Sequence, residues 1–102
     1  MAADYYRVDT EDGDHIDDPS EDALYMLLED LNPIDNRFLT IAPPGSQPAW
    51  HATVSLMDDN VFAVERAHAE LGVHELETGT DRNAIARDLT IWLASRCRLT
   101  GR

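Results

Sequence analysis

The clearest pattern in the chain is a leucine repeat at helical spacing near the N-terminus. Four leucines fall at i, i+3, i+4 and i+7, which predicts an amphipathic helix: Leu24, Leu27, Leu28 and Leu31. Asp18-Pro19-Ser20-Glu21 precedes the repeat, and we expect Asp18 to cap the helix, with Pro19 in its first turn. Asn32-Pro33 predicts the end of the helix, because proline disfavours α geometry in the residue before it.

Alternation of apolar and polar residues predicts strands along much of the rest of the chain. In the segment 49–57, Trp50 and every second residue after it are apolar, whereas His51, Thr53 and Ser55 form a polar face. Asp12-Gly13 predicts a tight turn between two short strands. The predicted strands are 5–10, 15–16, 37–42, 49–57, 61–66 and 73–77.

A second helix is predicted from about residue 80 to residue 98, with Trp92 on its apolar face. The predicted order is therefore β-β-α-β-β-β-(β)-α, with the strand at 73–77 optional. The helices are too few to cover both faces of a parallel sheet, and short connections between strands favour antiparallel neighbours. We expect one domain, 1–102, of the α+β class: an antiparallel sheet of four to six strands with two helices packed on one face. Trp50 and Trp92 are expected to pack in the core.

The charge of the chain is strongly negative and unevenly placed. Twenty acidic residues oppose eight arginines, giving a net charge of −12, and no lysine occurs. Between Asp4 and Asp35, twelve carboxylates oppose a single cation, Arg7. Such a charge disfavours binding to nucleic acid and to anionic membranes and favours a basic protein partner. Solubility alone is the other explanation for the same composition.

Candidate chemistry is sparse. His51, Ser55 and His74 are the polar groups of a possible small hydrolase-like or ligand-binding site, but no accompanying oxyanion support is identifiable. The histidines form no metal-ligand pair, and the acids after Asp9 do not match a calcium loop. The sequence therefore predicts no catalytic residue, no metal and no cofactor. The lone Cys97 and the absence of a basic, apolar leader predict a cytoplasmic protein.

The order of elements resembles that of small acidic immunity proteins of bacterial polymorphic-toxin systems, in particular the first-numbered, actinobacterial immunity family. The shared features are the Asp18-Pro19-Ser20 helix start, the strands of 49–66, and a last helix near Gly101-Arg102. The resemblance implies a protein that binds and neutralises a cognate toxin. An actinobacterial family without a toxin partner is the alternative.

These considerations favour a non-enzymatic protein whose carboxylates occupy a groove that a basic toxin or nucleic-acid-binding protein uses for phosphates. Asp18, Glu21 and Asp22 are assigned to capping α-helical structure at 18–22 and are not counted as partner surface. The partner-binding residues are then predicted to be Asp12, Asp14, Asp17, Glu29 and Asp30. Residues 80–102 contain five arginines, so positive charge gathers there and negative charge near the N-terminus. Attraction between these two regions of different copies predicts a homodimer as an alternative.

Overall fold

The computed structural model describes residues 6–43, 50–57, 60–68 and 72–100. Six strands and two helices follow one another along the chain. Their bounds are β1 Arg7–Thr10, β2 His15–Asp17, α1 Glu21–Glu29, β3 Phe38–Ala42, β4 Trp50–Leu56, β5 Phe62–His68, β6 Val73–Gly79 and α2 Arg82–Thr100. Within the described residues, neither helix combines the length and the apolar character that a membrane span requires.

The strands form one sheet in the order β2-β1-β3-β4-β5-β6. Every neighbouring pair is antiparallel. The predicted α+β class is confirmed, with six strands, the upper end of the expected number. β1 lies between β2 and β3, so the N-terminal hairpin forms one edge of the sheet and β6 forms the other.

Both helices lie on one face of this sheet. The alternating residues of β4 that were predicted to be apolar point to that face, and Trp50, Ala52 and Val54 are buried there. Leucines of α1 and Leu89 and Leu93 of α2 belong to the same hydrophobic cluster. Trp50 is almost fully buried, and its ring meets that of Trp92 edge to face at 5.5 Å. The expectation that both tryptophans pack with the core is confirmed.

The start of α1 differs from the prediction. Ser20, not Asp18, is the N-cap: its hydroxyl accepts the Ala23 N–H at 3.1 Å. Asp18 has a φ of 48°, outside the extended conformation that an N-cap adopts. Its carboxylate accepts the Tyr6 N–H at 3.3 Å instead, which fixes the chain between β2 and α1.

Two strands extend further than their patterns indicated. β5 continues to His68 and β6 to Gly79, and the two pair through seven consecutive residues. Asp81 then caps α2, accepting the N–H groups of Asn83 and Ala84. The predicted start near residue 80 is thereby confirmed.

The second face of the sheet is covered by neither helix. Side chains on this open face include those of Thr40, His51, Thr53, Ser55, Glu65 and Leu76, as the strand registers require. None of these side chains is buried.

Candidate functional site

The turn of the β1–β2 hairpin carries two of the predicted partner-binding residues. Asp12 holds the turn together, since its carboxylate accepts the Thr10 hydroxyl at 2.5 Å and the Asp14 N–H at 3.4 Å. Gly13 provides the positive φ of 102° that the turn requires. The turn thus presents Asp12 and Asp14, both exposed, at one end of β1 and β2.

Two further predicted residues lie at the C-terminal end of α1. Glu29 is the last helical residue, Asp30 is the C-cap, and both are exposed. The Asn36 side-chain amide donates to the Asp30 carbonyl at 3.2 Å, and Asp35 N–H donates to the Asn32 side chain at 3.1 Å. These bonds fold the 30–36 segment into a compact turn that leads to β3.

An ion pair brings the hairpin turn and the α1 end together. Glu11 accepts the Arg37 backbone N–H at 2.8 Å and the guanidinium Nε–H at 3.0 Å. Hydrogen bonding to Arg37 lowers the pKa of Glu11 from 4.5 to about 2. The segments 11–14 and 29–37 contain one cation, Arg37, and Glu11 already binds it.

We call the remaining carboxylates of these two segments the acidic end: Asp12, Asp14, Glu29, Asp30 and Asp35. All five are exposed, and none forms an ion pair with a described residue. Four of the five predicted partner-binding residues therefore lie in the two segments that the Glu11–Arg37 pair joins.

Asp17, the fifth predicted residue, lies apart from the acidic end. It ends β2 opposite Arg7, three positions along the strand from Asp14. At about 3.3 Å per residue this is roughly 10 Å. Asp17 therefore flanks the acidic end along the edge of the sheet.

Several acids outside the acidic end already have cationic neighbours. Asp9 accepts from Arg7 at 3.2 Å, and Glu77 is bound by Arg66. Glu65 contacts His74 Nε2 at 2.7 Å, and this hydrogen bond lowers the pKa of Glu65. The acidic end thus holds five of the described carboxylates that form no ion pair, and six others lie elsewhere: Asp17, Asp18, Glu21, Asp22, Glu75 and Asp81.

Glu29 and Asp30 occupy an unfavourable position for the helix itself. The C-terminal end of a helix carries partial negative charge, so carboxylates there cost about 0.3–1 kcal/mol each. The last turn of α1 contains no basic residue to compensate. Positions that break a local rule in this way are where function is expected to override stability.

Of the alternative hydrolase-like residues, His51 and His74 lie beside the same carboxylate, that of Glu65, whereas Ser55 lies apart from His51. His51 and Ser55 share the open face but lie four residues apart on β4, about 13 Å along the strand, beyond hydrogen-bond reach. His74 binds Glu65, whose other oxygen lies 3.9 Å from His51 Nε2. Two cavities lined by described residues lie on the opposite, helix-bearing face.

Those two cavities form a groove between β6 and α2 that the sequence did not indicate. They measure about 210 and 340 Å³ and share Arg66 and Asp88 in their walls. Glu77 lines the first cavity and Glu75 the second. The groove exists because α2 does not cover β6, whose Glu75 and Glu77 are exposed where buried apolar residues would otherwise be expected. Acidic residues at these core-facing positions of the strand were the available signal.

No cluster of three or more metal-ligating side chains occurs among the described residues. The structure thus presents two distinct acidic features: the acidic end, at the β1–β2 turn and the end of α1, and the groove beside the edge strand β6. No family model, curated protein or solved structure matches the chain.

Proposed function

We propose that this protein is a non-enzymatic binding protein whose acidic end docks on the basic surface of a partner protein. The observation that carries the proposal is the placement of Glu29 and Asp30. These carboxylates sit at the negative end of a helix dipole, beside the hairpin acids, with the neighbouring Arg37 already bound by Glu11. A basic surface would supply the missing countercharge.

The mechanism is occlusion of an anion-binding surface. Carboxylates at the acidic end take the place of phosphates on the partner, and complementary charge accelerates encounter and selects the partner. A nuclease or deaminase toxin is the partner class that the resemblance to immunity proteins implies. Asp17 extends the contact along the β2 edge if the partner spans the roughly 10 Å from Asp14.

The test begins with a pull-down from the source organism at low ionic strength, followed by purification of the captured partner. Its affinity and association rate are then measured for the wild type and for a Glu29→Lys/Asp30→Lys variant. We expect the affinity to fall by at least about tenfold, mainly through slower association, and the difference to shrink as salt is added.

Glu75→Lys is the matched control, because it reverses the charge of an exposed carboxylate on the edge strand β6, outside the acidic end. It should leave the affinity for a partner bound by the acidic end within about twofold at physiological ionic strength, where charges further than about 8 Å apart are screened. Unchanged binding by the Glu29→Lys/Asp30→Lys variant would exclude the acidic end as the docking surface.

A further inference from the structure

We propose that the outer edge of β6 accepts an extended, basic segment of a partner protein as a seventh strand. The starting observation is the edge itself. β6 pairs with β5 along all seven of its residues, and no described strand pairs with its other side. Such an edge presents a row of unused N–H and C=O groups and is a ready template for strand addition.

β6 lacks three of the usual protections of an edge strand, namely shortness, a proline and a bulge. The charged residues that it does carry on its helix-bearing side, Glu75 and Glu77, repel an acidic strand but not a basic one. The opposite edge, β2, has only three residues, whereas β6 has seven, without a proline. Its register with β5 is unbroken, so no bulge bends it away from an incoming strand. Leu76 is 71% exposed in the middle of this edge.

The two faces of β6 prescribe the side chains of the incoming strand. Glu75 and Glu77 point to the helix-bearing side, opposite Arg66 and Val64 of β5, and line the groove beside α2. Leu76 points to the open face. An added strand therefore meets carboxylates at alternate positions on one side and an apolar side chain on the other.

The groove next to β6 has room for long basic side chains. Asp88 on α2 faces the same space, and Ile91 and Trp92 form part of its wall. A lysine or arginine side chain directed into the groove places its methylene stem against these apolar groups and its charge near Glu75 and Asp88. Arg66, which forms an ion pair with Glu77, also lines the groove.

Charge argues against a second copy of this chain as the occupant. In an antiparallel pairing of two β6 strands centred on Leu76, Glu75 of each copy lies opposite Glu77 of the other. Pairings centred on either glutamate place that residue opposite itself. Like charges in directly opposed positions are destabilising, and two chains of net charge −12 also repel each other. Lysine or arginine at alternate positions reverses the sign of each of these contacts.

This inference goes beyond the proposed function and does not depend on it. β6 lies five strand spacings, or about 24 Å, from β2, which follows the hairpin acids, and three spacings, or about 14 Å, from β3, to which the 30–36 turn leads. Loss of binding at one of these surfaces therefore leaves the other intact, and variants at each surface distinguish the two proposals.

The test uses a short, end-blocked peptide of alternating lysine and valine, titrated calorimetrically at physiological ionic strength. We expect binding to the wild type and an affinity about tenfold lower for Glu75→Lys, a change of about 1.4 kcal/mol. Asp14→Lys, an equal charge change at the acidic end, should shift the affinity by no more than about twofold. Equal losses in the two variants would overturn the proposal.

Backbone pairing is tested with two N-methylated forms of the same peptide. One is methylated at the lysines and the other at the valines, so each loses the N–H groups along one of its edges. Strand addition predicts that one form binds nearly as well as the parent peptide and that the other does not bind. Equal binding of both forms would show attachment through charge alone and overturn the proposal. So would a dimer of the free protein, seen in sedimentation, that the peptide dissociates.

Discussion

Glu11 binds Arg37 across 26 positions of the sequence, through both the backbone N–H and the guanidinium group of the arginine. The pair joins the β1–β2 hairpin to the start of β3. It also removes the one cation of segments 11–14 and 29–37 from competition for the neighbouring carboxylates. The same contact therefore supports the fold and leaves the acidic end uncompensated.

This pair predicts a specific dependence of stability on pH. Because the pKa of Glu11 falls from 4.5 to about 2 on folding, its stabilising contribution is present above pH 4.5 and is lost as pH falls towards 2. The lowered pKa of Glu65 acts in the same direction. We expect Glu11→Gln to make the free energy of unfolding less dependent on pH in this range, as measured by urea denaturation at a series of pH values.

The arginine partner provides the control for this measurement. Arg37→Gln should weaken the pH dependence as much as Glu11→Gln does, and the double variant should weaken it no further, since both changes remove one interaction. If the free energy of unfolding fell as steeply with falling pH in Glu11→Gln as in the wild type, the role given to the pair would be contradicted.

Reversing the charge of Glu29 at the end of α1 is predicted to raise the stability of the protein while weakening partner binding. Glu29→Lys places a cation at the negative end of the helix dipole and should raise the free energy of unfolding by about 0.3–1 kcal/mol at low ionic strength. Glu21→Lys is the matched control: the same substitution in the first turn should lower stability by a similar amount. Shifts of the same sign in urea denaturation of both variants would show that the dipole does not determine these effects.

Burial predicts that truncation of Leu24 lowers the stability of the protein strongly and that truncation of Met26 hardly changes it. Leu24 is fully buried in the cluster beneath α1, whereas Met26 is 63% exposed. Leu24→Ala should cost about 2–5 kcal/mol through lost burial and the cavity left behind. Met26→Ala should change stability by no more than about 0.5 kcal/mol. Similar thermal midpoints for the two variants would contradict this placement of the helix.

Local periodicity explains why so much of this fold was predictable. The leucine repeat specifies α1 because a 3.6-residue period leaves one face for the core, and the alternation after Trp50 specifies β4 in the same way. The antiparallel arrangement follows from short connections. These are properties of neighbouring residues, so they are readable without knowledge of the rest of the chain.

The features that were missed depend on distant residues. Asp18 was assigned as the cap because its spacing from Glu21 fits a capping box, but contact with Tyr6 holds it at positive φ. β6 was predicted to end at residue 77, but pairing with Ala63 and Phe62 of β5 extends it through Thr78 and Gly79. The Glu11–Arg37 pair needs β1 beside β3, and the strand order was not part of the prediction.

The candidate site was predictable in composition and only partly in position. Exposure of Glu29 and Asp30 follows from the leucine stripe, since residues on the opposite side of a helix face solvent. Asp17 was grouped with the other acids by proximity in sequence, but an extended strand separates it from Asp14. Whether these residues bind a partner stays a prediction for the charge-reversal experiment.

Arg66 and Glu77 predict a non-additive effect on stability. Arg66 is 9% exposed and Glu77 keeps a side chain 57% exposed, so the arginine depends on the pair more than the glutamate does. Glu77→Gln leaves a guanidinium group partly buried without its countercharge and should cost about 1–2 kcal/mol. In an Arg66→Met background the same change should cost almost nothing, because methionine retains the apolar stem and carries no charge to compensate. Urea denaturation of the four proteins of this double-mutant cycle measures the difference. An equal cost of Glu77→Gln in both backgrounds would mean that the glutamate does not compensate the buried arginine.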